Sequence, residues 1–263
     1  MLRPYRRDKM TKRPDSALYE TTRRAWADIW DSASVEAELQ TQEYARSQAI
    51  IHAYTAYLPE DGVILEAGSG LSAAVITLRR RGFNVIGLDY AVNALHISRR
   101  YDPTLPLVAG DVHALPFADN SLAAYLSFGV LEHFEHGMGP ALAEAYRALR
   151  PNGILVLTIP YPNLVHRLVA WRRRQQNVSV LNDDGFYEST YTRKALVQNV
   201  TGAGFRPLKV MPTSHAYTLW GLGRPFRAEG YYRTSALADA LGNVLRVALP
   251  WAFNFSTMVI ARK

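Results

Sequence analysis

Three carboxylates in this chain stand at or just past the ends of short apolar runs: Glu66, Asp89 and Asp111. The first closes Val63-Ile64-Leu65 and opens a turn containing Gly68 and Gly70. Without a Cβ, those two positions let the chain bend sharply and let a ligand approach the main chain. A carboxylate here is ill matched to a pyrophosphate, which seeks the positive end of a helix with no anion beside it; it suits a cationic ligand, such as one carrying an ammonium and a sulfonium. Asp89, 21 positions after Gly68, can accept two hydrogen bonds from ribose hydroxyls, and Tyr90 beside it offers a flat face to an adenine ring. Asp111 can accept from the exocyclic amine of adenine while Val112 packs on the ring. Ser127-Phe128-Gly129 ends a further apolar run, and the pair Glu132-His133 follows. Histidine is the residue type suited to taking a proton near neutrality. Each position also has a plain structural reading: an ordinary glycine turn, Asp89 and Asp111 as caps of helices or turns, and Glu132-His133 as a pair opening a helix.

Such residues must be carried by regular elements. From residue 62 onward, apolar runs alternate with helical patterns, the signature of a parallel α/β sheet. Strands are expected at 63–65, 85–88, 107–109, 123–128, 154–159 and 205–211, with a last one over 253–262. Helices are expected at 71–81 with Gly82 as the stop, at 91–100 and at 139–150. Pro151-Asn152-Gly153 reads as a turn into the fifth strand. Thr192 reads as an N-cap of a helix ending at Gly202-Ala203-Gly204. Ahead of the sheet, helical patterns occur around Ala25–Trp30 and Val35–Tyr57. Later ones fall within 161–190, with Leu164, Val165, Leu168, Val169 and Trp171 against basic residues, and around Leu237, Leu241, Val244, Leu245 and Ala248. The candidate ligand residues all sit at C-terminal ends of strands, where open α/β sheets bind ligands.

The segment Glu66-Ala67-Gly68-Ser69-Gly70 resembles motif I of the class I S-adenosylmethionine (SAM)-dependent methyltransferases. Ser72, a small residue, stands where the fuller pattern has a third glycine. The run Gly110-Asp111-Val-His-Ala-Leu-Pro116-Phe117-Ala-Asp-Asn-Ser121 is similar to the segment after the third strand in small-molecule enzymes of the methyltransferase-11 type. Val130-Leu131-Glu132-His133, Leu149-Arg-Pro-Asn-Gly153 and Tyr191-Thr-Arg-Lys-Ala-Leu196 through Gly204-Phe205 resemble successive landmarks of the same group, so that the resemblance covers roughly residues 60–210 and the last strand. It implies an α/β, Rossmann-like class I methyltransferase fold: a seven-stranded, mostly parallel sheet with helices on both faces, N-terminal helices and lid insertions. It implies SAM as cofactor and S-adenosylhomocysteine as product. Glu66, Gly68, Gly70 and Phe128 would lie at the methionine end, Asp89 at the ribose with Tyr90 near the adenine, and Asp111 with Val112 at the adenine. His133 is the candidate base. Some enzymes of this broad group bind Mg²⁺ through an extra Glu three positions before the Glu-His pair; Gly129 stands there, which implies no metal site.

The 263 residues suffice for one core with embellishments, 48% of them being hydrophobic. We divide them into a basic tail and helical cap (1–58) and a SAM-binding domain (59–263) with lid insertions near 161–190 and 212–250. These outer parts hold every Trp, and Tyr187, Tyr191, Tyr217, Tyr231 and Tyr232 besides. They are expected to select a small organic acceptor, lipid- or glycan-related candidates included, for methylation on O, N or C. The competing functions are a non-catalytic SAM-binding or partner-binding protein and, disfavoured by Glu66 and the absent third glycine, an NAD(P)-dependent oxidoreductase. The chain has no cysteine, so thiolate chemistry and disulfides are excluded. Net charge is +7, with eight Arg or Lys against three acidic residues in the first 24. A nucleic-acid partner is not expected, because no recognition module accompanies this charge. The basic amphipathic stretch 164–174, with Arg167 and Arg172 to Arg174, can rest on a membrane surface. No apolar run of membrane-spanning length or signal-peptide type is seen, so the expected location is the cytoplasm, with membrane association open.

Overall fold

The computed structural model describes residues 17–168 and 188–263. Three helices precede the sheet: α1 (Ala17–Ser32), α2 (Val35–Glu43) and α3 (Ala45–Thr55). The single pattern expected over 35–57 is thus two helices, because Tyr44 between them is extended, with φ −66 and ψ 142. Ser34 caps α2 by accepting the Ala37 N–H. There follow β1 (Ile64–Ala67), α4 (Ala73–Arg80), β2 (Val85–Asp89), α5 (Val92–Tyr101), β3 (Leu107–Ala109), β4 (Leu122–Phe128), α6 (Gly139–Ala148) and β5 (Leu149–Pro160). A helix α7 begins at 164 and is described to 168; the rest of the basic stretch 164–174, and Tyr187, lie outside the described residues. Last come α8 (Arg193–Gly202), β6 (Arg206–Thr213), α9 (His215–Trp220), α10 (Ala236–Ala248) and β7 (Ser256–Arg262). Thr192 caps α8 by accepting the Ala195 N–H.

The strands form one seven-stranded sheet in the order β3-β2-β1-β4-β5-β7-β6. All neighbours are parallel except β7, which runs antiparallel to both β5 and β6. The chain steps outward from β1 to β2 and β3, then returns to β4 on the other side. The C-terminal ends of β1 and β4 therefore flank the point where strand order reverses, and a crevice opens there.

Alternation along the strands sends successive side chains into two separate cores. Leu155, Leu157 and Ile159 of β5 pack with Leu142 of α6 and Leu196 of α8 on one face, while Ile154 and Val156 pack with Val35, Ile51 and Val75 of the helices α2, α3 and α4 on the other. Leu65 and Ala67 of β1 belong to the first face and Ile64 to the second. By the same alternation Glu66 turns toward the side of α3 and α4.

Two expectations need correction here. Pro151-Asn152-Gly153 does not precede β5 but lies within it: Leu149 already pairs with Leu122, and the register then shifts before Ala124 meets Ile154. Asn152 absorbs the irregularity with φ 63, a conformation that Asn tolerates better than most residues. The last strand begins at Ser256 rather than Phe253, which leaves Phe255 at the crevice. Leu157 is fully buried at the centre of the sheet. Leu157→Ala is expected to lower unfolding free energy by about 2–5 kcal/mol in urea denaturation, whereas an unchanged midpoint would mean that this face of β5 is not packed.

Candidate active site

The turn after β1 is built by backbone conformation. Gly68 and Gly70 have φ 82 and φ 47. A Cβ on Gly68 would collide with Val130, and one on Gly70 with the indole of Trp30 from α1. The N–H groups of Gly68 and Ser69 both donate to the Leu88 carbonyl, at 2.7 and 3.0 Å. The Gly70 N–H donates to Asp89 Oδ2 at 2.7 Å, and the Ala91 N–H to Oδ1 at 2.7 Å. Asp89 thus ties the β1 turn to the end of β2. Ser72, at the place of the third glycine, has φ 61 at the start of α4; it adopts a conformation that glycine takes without strain.

Above this turn is a cavity of about 430 Å³, within the size range of small-molecule sites, roughly 300–1,000 Å³. Of the residues singled out in the sequence, Glu66, Gly68, Gly70, Asp89, Tyr90, Phe128 and His133 line it. Glu66 is buried, and its Oε2 has no hydrogen-bond partner. Burial pushes its carboxyl up to about 8 from an ordinary 4.5, against the opposing pull of the Val75 backbone. A carboxyl oxygen without a partner beside a Cβ-free turn fits a cationic ligand group, which would satisfy that oxygen and restore the charge. Burial also raises Asp89, although the N–H groups of Ala91 and Gly70 favour its ionised form.

Asp111 and Val112 do not line the cavity. The Tyr19 hydroxyl of α1 donates to Asp111 Oδ2 at 2.8 Å, and the His113 N–H donates to Oδ1 at 2.8 Å. His113 Nδ1 is also 2.9 Å from Oδ1. Burial pushes Asp111 up, but the hydrogen bonds from His113 and Tyr19 together hold it below the ordinary carboxylate range. The Tyr19 ring lies 6.3 Å from that of Tyr90 and 6.2 Å from that of Phe134. Cap residues therefore fill the corner that the sequence reading assigned to adenine.

Glu132 and His133 lie in a 3₁₀ turn, Leu131–His133. They separate in role: the His133 ring lines the cavity, edge-on to Trp26 at 5.2 Å. The Glu132 carboxyl is absent from the cavity wall, and burial pushes it well above its ordinary range. Its main-chain carbonyl accepts from the Ser189 N–H at 3.0 Å and hydroxyl at 2.9 Å, which fastens the turn to the segment before α8.

The opposite wall was only partly foreseen. Tyr217 of α9, Tyr232 and Phe255 line the cavity with Glu38 of α2 and Arg46 of α3. The Tyr231 hydroxyl donates to Glu38 at 2.9 Å, and burial raises the Glu38 carboxyl. Arg46 donates to the Tyr232 carbonyl at 2.6 Å and to Thr234 at 3.2 Å, with its guanidinium 5.3 Å from the Tyr217 ring centre. Tyr217, Tyr231 and Tyr232 were expected in a substrate-selecting lid. Glu38 and Arg46 carry no local signal, because their partners lie 193 and 188 residues further along the chain.

A family model described as a methyltransferase domain matches residues 65–157, from β1 through most of β5. A demethylmenaquinone methyltransferase of Renibacterium salmoninarum is 36% identical over 95 residues, covering 36% of this chain and 39% of that protein. An uncharacterised 37.1 kDa protein of transposon Tn4556 from Streptomyces fradiae is 36% identical over 152 residues, 51% of this chain and 43% of its own length. The chain thus spans about two-fifths of the length of these curated relatives. Among solved structures, a chain of the complex between the Haloferax volcanii Trm112 methyltransferase activator and the putative methyltransferase superposes with a TM-score of 0.62. The two share 18% identity over 94% of this chain and 97% of that one. The geranyl diphosphate C-methyltransferase of Streptomyces coelicolor A3(2) gives a TM-score of 0.61 at 12% identity, over 95% of this chain and 99% of that one. Residues 65–157, which include the glycine turn, thus match a methyltransferase domain, and the whole chain shares the fold of solved SAM-dependent methyltransferases.

Proposed function

We propose that this chain transfers the methyl group of SAM to an O, N or C atom of a small, planar organic acceptor, releasing S-adenosylhomocysteine. The observation that carries this reading is the unpartnered Oε2 of the buried Glu66 carboxyl in the wall of a glycine-built cavity that also holds Asp89 and His133. When bound, SAM supplies a methyl group already activated by its sulfonium, so the protein has mainly to position a nucleophile in line and exclude water. In this reading residues 59–263 form the cofactor-binding domain, and the helices α1 to α3 that precede it cap the cofactor. Glu66 accepts from the ammonium, and Gly68 and Gly70 leave the main chain open beside it. Asp89 retains lone-pair capacity for a ribose hydroxyl, since the backbone N–H groups of Gly70, Ala91 and Tyr90 leave part of its roughly four acceptor sites open. Tyr90 borders the adenine and Phe128 the methionine chain. Asp111 with Val112 takes the adenine amine only if Tyr19, which occupies that corner, moves aside. His133 receives the acceptor's proton.

The acceptor is read from the far wall. Tyr217, Tyr232 and Phe255 offer ring faces and edges, and Arg46 and Glu38 offer a cation and a carboxyl. That combination suits a flat ring bearing oxygen substituents. Relatives named demethylmenaquinone methyltransferase are compatible with such an acceptor, though they match little more than a third of this chain. Among the described residues no helix is long and apolar enough to cross a membrane.

Glu66 gives a sharp pH test. Between its ordinary 4.5 and about 8, the folded chain without ligand holds a proton that the unfolded chain has released. Stability then falls as pH rises through that window, by up to about 1.4 kcal/mol per pH unit. An ammonium beside Glu66 favours the carboxylate, so SAM binding should release a proton there, and affinity should rise with pH toward 8. Titration calorimetry in buffers of different ionisation enthalpy reads the proton directly, and Glu66→Gln should abolish its release. Proton-free, pH-independent binding would remove Glu66 from the cofactor site.

His133→Ala should lower kcat by about 10²–10⁴ if the side chain is a base, with the SAM dissociation constant nearly unchanged. Equal losses in both would leave it a packing residue against Trp26. Tyr217→Ala should raise the acceptor KM by at least about tenfold and spare SAM affinity. The reverse pattern would place Tyr217 on the cofactor side.

A further inference from the structure

Helix α10 is packed the wrong way round for a helix that serves only the fold. Its small residues face inward: Ala238 and Gly242 are buried, and a Cβ on Gly242 would stand 2.7 Å from the Ala216 nitrogen of α9. Its large apolar residues face outward. Leu237 and Leu241 are exposed, and Val244 and Val247 are 61% and 74% exposed. At about 100° per residue these four fall, with Ala240 and Ala248, on one arc of roughly 120° that carries no charge. Asp239, Asn243 and Arg246 all lie off that arc. The sequence pattern marked this stripe but not its direction.

The apolar surface does not end with α10. Leu249 is exposed just beyond it, and the Leu164 N–H donates to the Ala252 carbonyl at 3.0 Å. This places the start of α7, with exposed Leu164 and Leu168, beside the C-terminal end of α10. A contiguous exposed apolar surface of this kind marks an interaction site.

Its chemistry selects among occupants. The arc is wholly aliphatic, whereas energetically dominant protein contacts favour Trp, Tyr and Arg over Leu and Val. The charges at its α7 end are basic: Arg167 on α7 and Arg193, whose guanidinium lies 4.9 Å from the Trp251 ring centre, are both exposed, while Arg246 of α10 lies on the side away from the arc. The acidic Asp239 is engaged, accepting from the Thr234 hydroxyl at 2.7 Å. An aliphatic stripe flanked by cations at its α7 end, on a chain of net charge +7, complements acyl chains beneath anionic headgroups.

We propose that α10 and the start of α7 form the face by which this protein docks on an anionic phospholipid surface, with α10 lying in the plane of the interface. Helix α9, on which α10 packs, carries Tyr217 into the cavity wall. The docked face therefore backs directly onto the proposed acceptor side, and docking itself does not depend on which acceptor is used.

The test is sedimentation of the full chain with vesicles of phosphatidylcholine containing phosphatidylglycerol, against vesicles of phosphatidylcholine alone. Binding to the anionic vesicles, weakened by salt, is the expected result. The double variant Leu241→Glu/Val244→Glu should bind them about tenfold more weakly or worse, with SAM affinity and melting temperature unchanged. Val247→Glu, at the most exposed position, serves as a milder second variant. Absence of binding to anionic vesicles would overturn the proposal, as would undiminished binding by both variants. So would a dimer in light scattering that the same substitutions dissolve, since the stripe would then be covered by a second copy. SAM binding, measured on the same samples, separates failure of docking from failure of the methyltransferase reading.

Discussion

The carboxylate of Asp89 holds the site together. One oxygen accepts the Gly70 N–H and the other the Ala91 N–H, both at 2.7 Å. A single side chain at the end of β2 thus fixes the bend after β1 and the start of α5. Buried backbone donors in a left-handed turn would otherwise go unpaired, at a cost of about 1–3 kcal/mol each. The Leu88 carbonyl completes the clamp by taking the N–H groups of Gly68 and Ser69. The crevice at the reversal of strand order is shaped by these bonds, and every other feature of the cavity is arranged around it.

Glu66 is the exception to the packing rule that its neighbours obey. Alternation along β1 sends Leu65 and Ala67 to one apolar core and Ile64 to the other. At the next position on that second face the strand carries a carboxyl with an unpartnered oxygen. A buried polar group in that state weakens the fold, and departures of this kind concentrate where a protein binds something. The cost is visible in the direction of its protonation: without a nearby cation the group is driven toward its neutral form.

Helix α1 closes the cavity through one face. Tyr19, Trp26 and Trp30 are spaced by seven and four residues, so all three project to the same side of the helix. They meet Asp111, His133 and Gly70 respectively. The cap is therefore in register with three separate strand-end segments. That register explains why Asp111, although it follows β3 as expected, is withdrawn from the cavity while Asp89 is not.

The succession of strands and helices from β1 to β5, the glycine turn and the positions of the acidic residues after their strands were legible from residue order. These features depend on neighbours within about a dozen positions: apolar period, turn-forming glycines, and caps such as Thr192. Boundaries moved where a residue took an unexpected backbone state, as at Tyr44 between two helices and at Asn152 inside β5. Glu38, Arg46 and Tyr19 could not be read in advance, because each owes its place to a partner from 92 to 193 residues away. The outward stripe of α10 belongs to the same class, since periodicity shows that a helix has an apolar side but not what that side meets. The sequence by itself determined the scaffold of the α/β sheet and the chemistry at its strand ends, since local pattern and residue type suffice for both. Tertiary structure alone decided which of those residues share one cavity, and what lies across it, because that depends on contacts between segments far apart in the chain.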